Sequence, residues 1–141
     1  MNIIEKSLEI ALEAYSGKTD KAGETYILHP LRLMSKMETE EEMSVALLHD
    51  VVEDSDLTAD DLLNRGIPSI VVNAVLSLTK RHGENYESFI ERVLENKLAA
   101  KIKKVDIEDN INVLRLNSVT NKDLERVAKY HKAWHRINKN S

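Results

Sequence analysis

The chain has 141 residues, enough for one domain with a sizeable core, and its 20 Lys and Arg against 24 Asp and Glu give a net charge of −4, which argues against a surface that coats nucleic acid generally. It has no cysteine, so a disulfide framework, a thiolate metal site and a cysteine nucleophile are excluded, and any chemistry falls to His, carboxylates, Lys or hydroxyls. The charge-free stretch Ile67 to Thr79, 13 residues and preceded only by Gly66 before the next charge, is short of the ~20 that cross a bilayer, and the N-terminus does not read as a signal peptide; a soluble, cytoplasmic protein is expected.

Helical periods recur along most of the chain, with four Gly and two Pro to interrupt them. Ile3, Ile4, Leu8, Ala11 and Tyr15 share one face of a first helix that Gly17 is placed to end. The loop "SGKTDKAGETY" follows, and Pro30 suits the first turn of a second helix, "PLRLMSKM". Thr39 with Glu42 forms a capping box opening the next helix, expected to run through "VALLHDVVED", Val45 to Asp54. The same signature recurs at Thr58 with Asp61 and at Thr120 with Asp123. Pro68 can start "SIVVNAVLSLT", and "YESFIERVLE" reads as a short amphipathic helix after the loop "KRHGEN". A longer helix is expected from about Leu98 to Leu116 and a last one from about Lys122 to Lys139. The β-branched run Ser69 to Val72 has no partner run with alternating polarity, so the reading is an all-α, single-domain helical bundle over residues 1–141.

The third helix is apolar on nearly every side, which marks it as central, yet "HDVVED" sets four ionisable groups into it. On a continuous helix His49 would lie over Glu53 and Asp50 over Asp54, in two adjacent rows that could look into one cavity. Carboxylates near a buried helix C-terminus are disfavoured by the macrodipole and by burial, and a bound divalent cation would reverse that penalty. In "KIKKVDIEDN", Asp106, Asp109 and Asn110 share a helix face with Lys103; taken alone this segment reads as a solvated, ion-paired face. His29, before Pro30, stands at a helix entrance, and taken alone reads as a hydrogen-bonded structural histidine. Together His29, His49, Asp50 and Asp106 make a mixed nitrogen and oxygen ligand set suited to a six-coordinate first-row divalent ion such as Mn²⁺, or Fe²⁺, Co²⁺ or Zn²⁺, an arrangement for hydrolysis.

The order H…HD…D resembles the HD-domain metal-dependent phosphohydrolases. Within that superfamily "KAGETYILHPLRLM", "ALLHDVVEDSDLT" and "KKVDIEDN" are similar to the hydrolase domain of the stringent-response (p)ppGpp synthetase/hydrolase proteins and to small alarmone hydrolases, from about Lys21 to Asn110. The resemblance implies an all-helical HD fold, one bound Mn²⁺, and release of pyrophosphate from the 3′ position of a guanosine nucleotide. It carries the metal ligands onto His29, His49, Asp50 and Asp106, the catalytic acidic pair onto Glu53 and Asp54, and a nucleotide-holding asparagine onto Asn110. Lys103 stands where the family has a lysine before the metal aspartate; Lys103 and Lys21 are expected to neutralise phosphate oxygens, and Asp109 is grouped with these substrate-binding residues. Two departures bear on the substrate. Asp20 stands where the alarmone hydrolases commonly carry an arginine near the guanine base, and "INV" at Ile111 to Val113 replaces "MRT". A different (deoxy)nucleotide is therefore the alternative substrate.

The last helix carries a basic stripe, Lys122, Arg126, Lys129, Arg136 and Lys139, opposite an expected docking face of Leu124, Val127, Ala128, His131 and Trp134. That stripe offers the other alternative, a non-catalytic module binding nucleic acid or an acidic partner with a vestigial HD site; His131 and His135 have the i, i+4 spacing of a metal pair without a third ligand.

Overall fold

The capping chemistry read from the sequence delimits the helices in the computed structural model, which describes residues 1–140; Ser141, the last residue of the expected domain, lies outside the described residues. Thr39, Thr58 and Thr120 each accept from the backbone N–H three residues on, and Glu42, Asp61 and Asp123 bond back, so all three capping boxes are formed. A fourth, Asn2 with Glu5, opens the first helix. The helices in chain order are α1 (Ile3–Tyr15), α2 (Leu28–Ser35), α3 (Glu40–Leu48), α4 (Val51–Asp54), α5 (Ala59–Asn64), α6 (Ser69–Ser77), α7 (Tyr86–Leu94), α8 (Lys97–Asn110) and α9 (Asn121–Lys139), with a 3₁₀ turn at Val113–Arg115. Among the described residues there is no strand, only an isolated bridge between Thr19 and Thr25, and no helix is long and apolar enough to cross a membrane.

Helix α3 is the hub. Val45, Ala46, Leu47 and Leu48 point to successive sides of the helix and are all fully buried, because α3 packs against α1, α2, α6 and α8 at once. Each of these side chains contributes roughly 1.5–3 kcal/mol of burial, Ala46 less. The packing of α8 on α2, α3, α7 and α9 closes the bundle and brings the far end of the sequence over the start of α2. The all-α, single-domain reading therefore holds.

The structure corrects three local expectations. The segment "VALLHDVVED" is not one helix: α3 stops at Leu48 and α4 starts at Val51. The Nδ1–H of His49 donates to the carbonyl of Ala46 at 2.8 Å, while the N–H of Asp50 turns to the Tyr15 hydroxyl at 3.1 Å. With Ala46 capped by a side chain and Asp50 at φ −106°, ψ 3°, the ladder is interrupted there and restarts one turn on, where the Asp54 N–H donates to the Asp50 carbonyl at 2.9 Å.

Likewise α8 ends at Asn110 rather than Leu116, because Asn112 takes ψ 85° and its side chain accepts from the N–H of Leu114, capping the 3₁₀ turn in place of the helix. In α9 the buried residues are Ala133 and Ile137, with Val127, Tyr130 and Trp134 partly covered. Leu124 is 55% exposed, and Ala128 and His131 also face solvent, so the docking face is turned from the one expected.

Candidate metal centre

The break after α3 is what builds the site. It leaves His49 buried at the end of the central helix, with its proton fixed on Nδ1 by a main-chain carbonyl and its Nε2 lone pair directed away from α3. That Nε2 makes no hydrogen bond, although it is buried; Oδ2 of Asp50 lies 3.0 Å away and Oδ1 of Asp106 3.5 Å. Asp50 also accepts from the Tyr26 hydroxyl.

From the first turn of α2, His29 faces the same point. Its Nε2 is 2.8 Å from Asp106 Oδ1 and its Nδ1 is 2.6 Å from Asp109 Oδ2. Asp106 and Asp109, one turn apart on α8, thus bracket the imidazole. Asp106 is further held by Lys103 Nζ at 3.0 Å and by the Asn110 amide at 3.1 Å.

One ligand atom each from His29, His49 and Asp50 falls within a sphere where all lie no more than 4.8 Å apart, and Asp106 touches both imidazoles. The structure therefore brings all four residues of the expected ligand set together. The electrostatics show what this group lacks. Burial pulls both imidazoles down, but contacts with Asp50, Asp106 and, for His29, Asp109 more than offset it, so both are raised. Burial pushes Asp106 up, and Lys103 with the two histidines holds it well below the carboxylate range instead. Without a metal, protons fill the space between two nitrogen lone pairs and two carboxylates; a divalent cation suits the same donors and would release those protons. The orphaned Nε2 of His49 is the observation that makes the fit: a neutral imidazole protonated on Nδ1 has a ligand lone pair there and no protein donor to satisfy it.

Glu53 and Asp54, expected as the catalytic pair, stand on α4 just beyond Asp50 and are exposed. Desolvation and the neighbouring charge of Asp50 push both above the usual carboxylate range, the direction wanted for a proton carrier at neutral pH. Glu53 also accepts from the N–H of Lys80 at 2.9 Å, and the Asp54 carbonyl accepts from Lys18, so α4 is tethered on two sides.

Beside the metal group opens a cleft of about 400 Å³ whose lining includes Lys21, Tyr26, His29, Arg32, Asn110, Arg115, Arg126 and Tyr130. Of the expected substrate-binding residues, Lys21 and Asn110 line it, whereas Lys103 stands behind Asp106 and Asp109 behind His29. Partial desolvation and the charge of Arg126 lower the Lys21 pKa, the mark of cations gathered at one place. Asp20 also lines the cleft, but its Oδ1 accepts from the N–H groups of Ala22 and Glu24 at 2.9 Å, so the carboxylate shapes its own loop. Arg32, Arg115 and Arg126 were missed as cleft residues. Only Arg126 had a signal, its place in the basic stripe of α9. The rest of that stripe is partly neutralised by α7, with Arg136 3.0 Å from Glu91 and the neighbouring Lys132 3.6 Å from Glu87.

No family model matches the chain. It is 30% identical over 125 residues to the guanosine-3′,5′-bis(diphosphate) 3′-pyrophosphohydrolase of Vibrio cholerae, a match covering 79% of this chain and 18% of that protein. The enzyme of the same name from Aquifex aeolicus is 31% identical over 123 residues, again 79% of this chain and 18% of the relative. The chain resembles the HD-type hydrolase domain of the (p)ppGpp hydrolases. It spans 18% of the length of these two curated relatives, so the likeness is to a part of them. Among solved structures, a metazoan ortholog of SpoT that hydrolyzes ppGpp and plays a role in starvation responses matches with a TM-score of 0.77 over 97% of this chain and 85% of that one, at 21% identity. That likeness shows the shared fold alone, over nearly the whole helical bundle.

Proposed function

We propose that the protein is a Mn²⁺-dependent phosphohydrolase whose leading substrate is guanosine 3′,5′-bis(diphosphate), acting in the cytoplasm and releasing pyrophosphate from the 3′ position. The observation that carries the reading is the convergence of His29, His49, Asp50 and Asp106, each imidazole with its Nε2 aimed at the same point, beside a cleft lined by cations. Relatives named as 3′-pyrophosphohydrolases, 30% and 31% identical over 79% of this chain, support the substrate class.

A divalent ion held by these four residues would lower the pKa of a water so that it serves as nucleophile near neutral pH. Glu53 and Asp54 orient that water and carry its proton, for which their raised affinity for protons suits them. Lys21 and Arg126 neutralise phosphate oxygens in the cleft, where charge accumulates as the bond to phosphorus breaks. Asn110 hydrogen-bonds Asp106 from the cleft side and is placed to hold both the ligand and the nucleotide. Lys103 keeps Asp106 ionised from behind.

The test is to incubate metal-stripped protein with and without Mn²⁺ against ppGpp, GTP, ATP, deoxynucleotides and nucleoside monophosphates, resolving products by ion exchange. Pyrophosphate from ppGpp only with Mn²⁺ is the expected result. Turnover of another nucleotide would keep the site and replace the substrate; no turnover with any metal would overturn the enzyme reading.

A further inference from the structure

His49 and His29 present the same nitrogen to the metal position but are fixed in different ways. The proton of His49 is held by the main-chain carbonyl of Ala46, which no substitution removes. That of His29 is held by a side chain, Asp109, at 2.6 Å.

Asp109 is buried, at 4% exposure, and its carboxylate is fully engaged. Besides His29 on Oδ2, it receives Arg32 Nε on Oδ1 at 2.8 Å and Arg32 Nη2 on Oδ2 at 3.0 Å, a two-point fork. Arg115 adds Nη1 to Oδ1 at 3.4 Å and lies 3.3 Å from Oδ2 through Nη2, which also bonds the Asp109 backbone carbonyl. A buried carboxylate with one histidine partner would be costly; two guanidiniums balance its charge and leave it no freedom to rotate toward the metal position. A carboxylate so fixed keeps a proton on Nδ1 of His29 and leaves Nε2, 2.8 Å from Asp106 Oδ1, as the nitrogen that would give its lone pair to a bound metal, with the ring enriched in electron density.

Resting on the metal-centre reading above, we infer that Asp109, clamped between Arg32 and Arg115, is the positioning residue that sets the tautomer and ligand strength of His29, and so the metal affinity of the centre. Asp109 touches neither the metal position nor the substrate. Arg32 and Arg115 act through it, even though both also line the cleft.

Mn²⁺ binding, read as loss of the free-ion electron paramagnetic resonance signal, is compared in the parent, D109N and R32Q. An outer-shell partner of a ligating histidine is worth roughly 10- to 100-fold in metal affinity. D109N, whose amide cannot serve both His29 and two guanidiniums, is expected to bind about 10- to 100-fold more weakly, and R32Q, which retains Arg115, to fall between. In the Zn²⁺-loaded parent, ¹⁵N spectra are expected to show His29 protonated on Nδ1. A folded D109N with Mn²⁺ affinity within twofold of the parent would overturn the inference while leaving the metal centre standing, and so would a His29 protonated on Nε2 in the Zn²⁺-loaded parent. Should D109N not fold, the parent spectrum and R32Q decide it. A parent that binds no Mn²⁺ overturns the metal centre and this inference together.

Discussion

Nδ1 of His49 lies 2.8 Å from the carbonyl oxygen of Ala46, inside the turn that would otherwise carry α3 onward. The backbone N–H that this carbonyl would have accepted belongs to Asp50, and it is satisfied instead by the Tyr15 hydroxyl at 3.1 Å. A break in the central helix and the aim of the His49 imidazole are one event, so Tyr15, far away in sequence on α1, supports the candidate site. In Tyr15→Phe the N–H of Asp50 loses its partner. Urea denaturation is expected to show a loss of about 1–2 kcal/mol, with weaker Mn²⁺ binding; unchanged stability would mean the N–H finds another acceptor.

Asp106 touches both imidazoles and balances the charge of Lys103, so its removal is ambiguous unless shape is kept. Asp106→Ala leaves the Lys103 ammonium without its carboxylate and should destabilise as well as inactivate. Asp106→Asn, which keeps the shape and a neutral acceptor oxygen for Lys103, is expected to destabilise less than alanine yet lose at least about 100-fold in Mn²⁺ affinity, above the range for an outer-shell partner, together with hydrolysis. Retained activity in either variant would remove Asp106 from the site.

If the four-residue group binds only in the folded chain, metal must stabilise the fold. Mn²⁺ at about 100 times its dissociation constant should add about 2.7 kcal/mol, and EDTA should reverse it. A melting temperature indifferent to both would contradict a folded-state site.

Arg126 reaches the cleft from α9, the helix whose basic stripe otherwise suggests a nucleic-acid surface. Arg126→Gln is expected to raise KM for the nucleotide roughly tenfold with a smaller change in kcat, the pattern of lost ground-state binding. Steep salt-dependent binding to nucleic acid, lost in the same variant, would instead favour a binding module.

Away from the site, Arg92 grips Glu84 through two bonds of 2.9 Å, caps the end of α6 at the Leu76 and Ser77 carbonyls, 3.2 and 3.3 Å away, and bonds the Thr79 carbonyl beyond it at 2.8 Å. Its hydrogen bonds hold Glu84 down at about 2, against an ordinary 4.5. A carboxylate whose folded pKa is depressed stabilises fully above its unfolded value and loses that contribution as pH falls toward the folded one. Melting temperature should therefore decline between about pH 4.5 and pH 2, and E84Q should flatten that part of the profile.

Local chemistry wrote most of the helix starts into the sequence. Each Thr box caps its helix with neighbours three residues away, and the all-round apolar face of α3 made it the centre before any contact was known. The residue types of the metal group were legible for a similar reason, since buried imidazoles and carboxylates are unfavourable without a partner. Where those groups point was not legible. The break at Asp50 depends on a hydroxyl from α1, and the carboxylates that bracket His29 lie 77 and 80 residues further along the chain. Arg32, Arg115 and Arg126 sit on α2, a 3₁₀ turn and α9, and share no period or spacing that would group them. A sequence specifies what lies within a turn or two through hydrogen bonds and periodicity; the meeting of distant charges is decided by how the helices pack, because only packing sets their distance and removes the water between them.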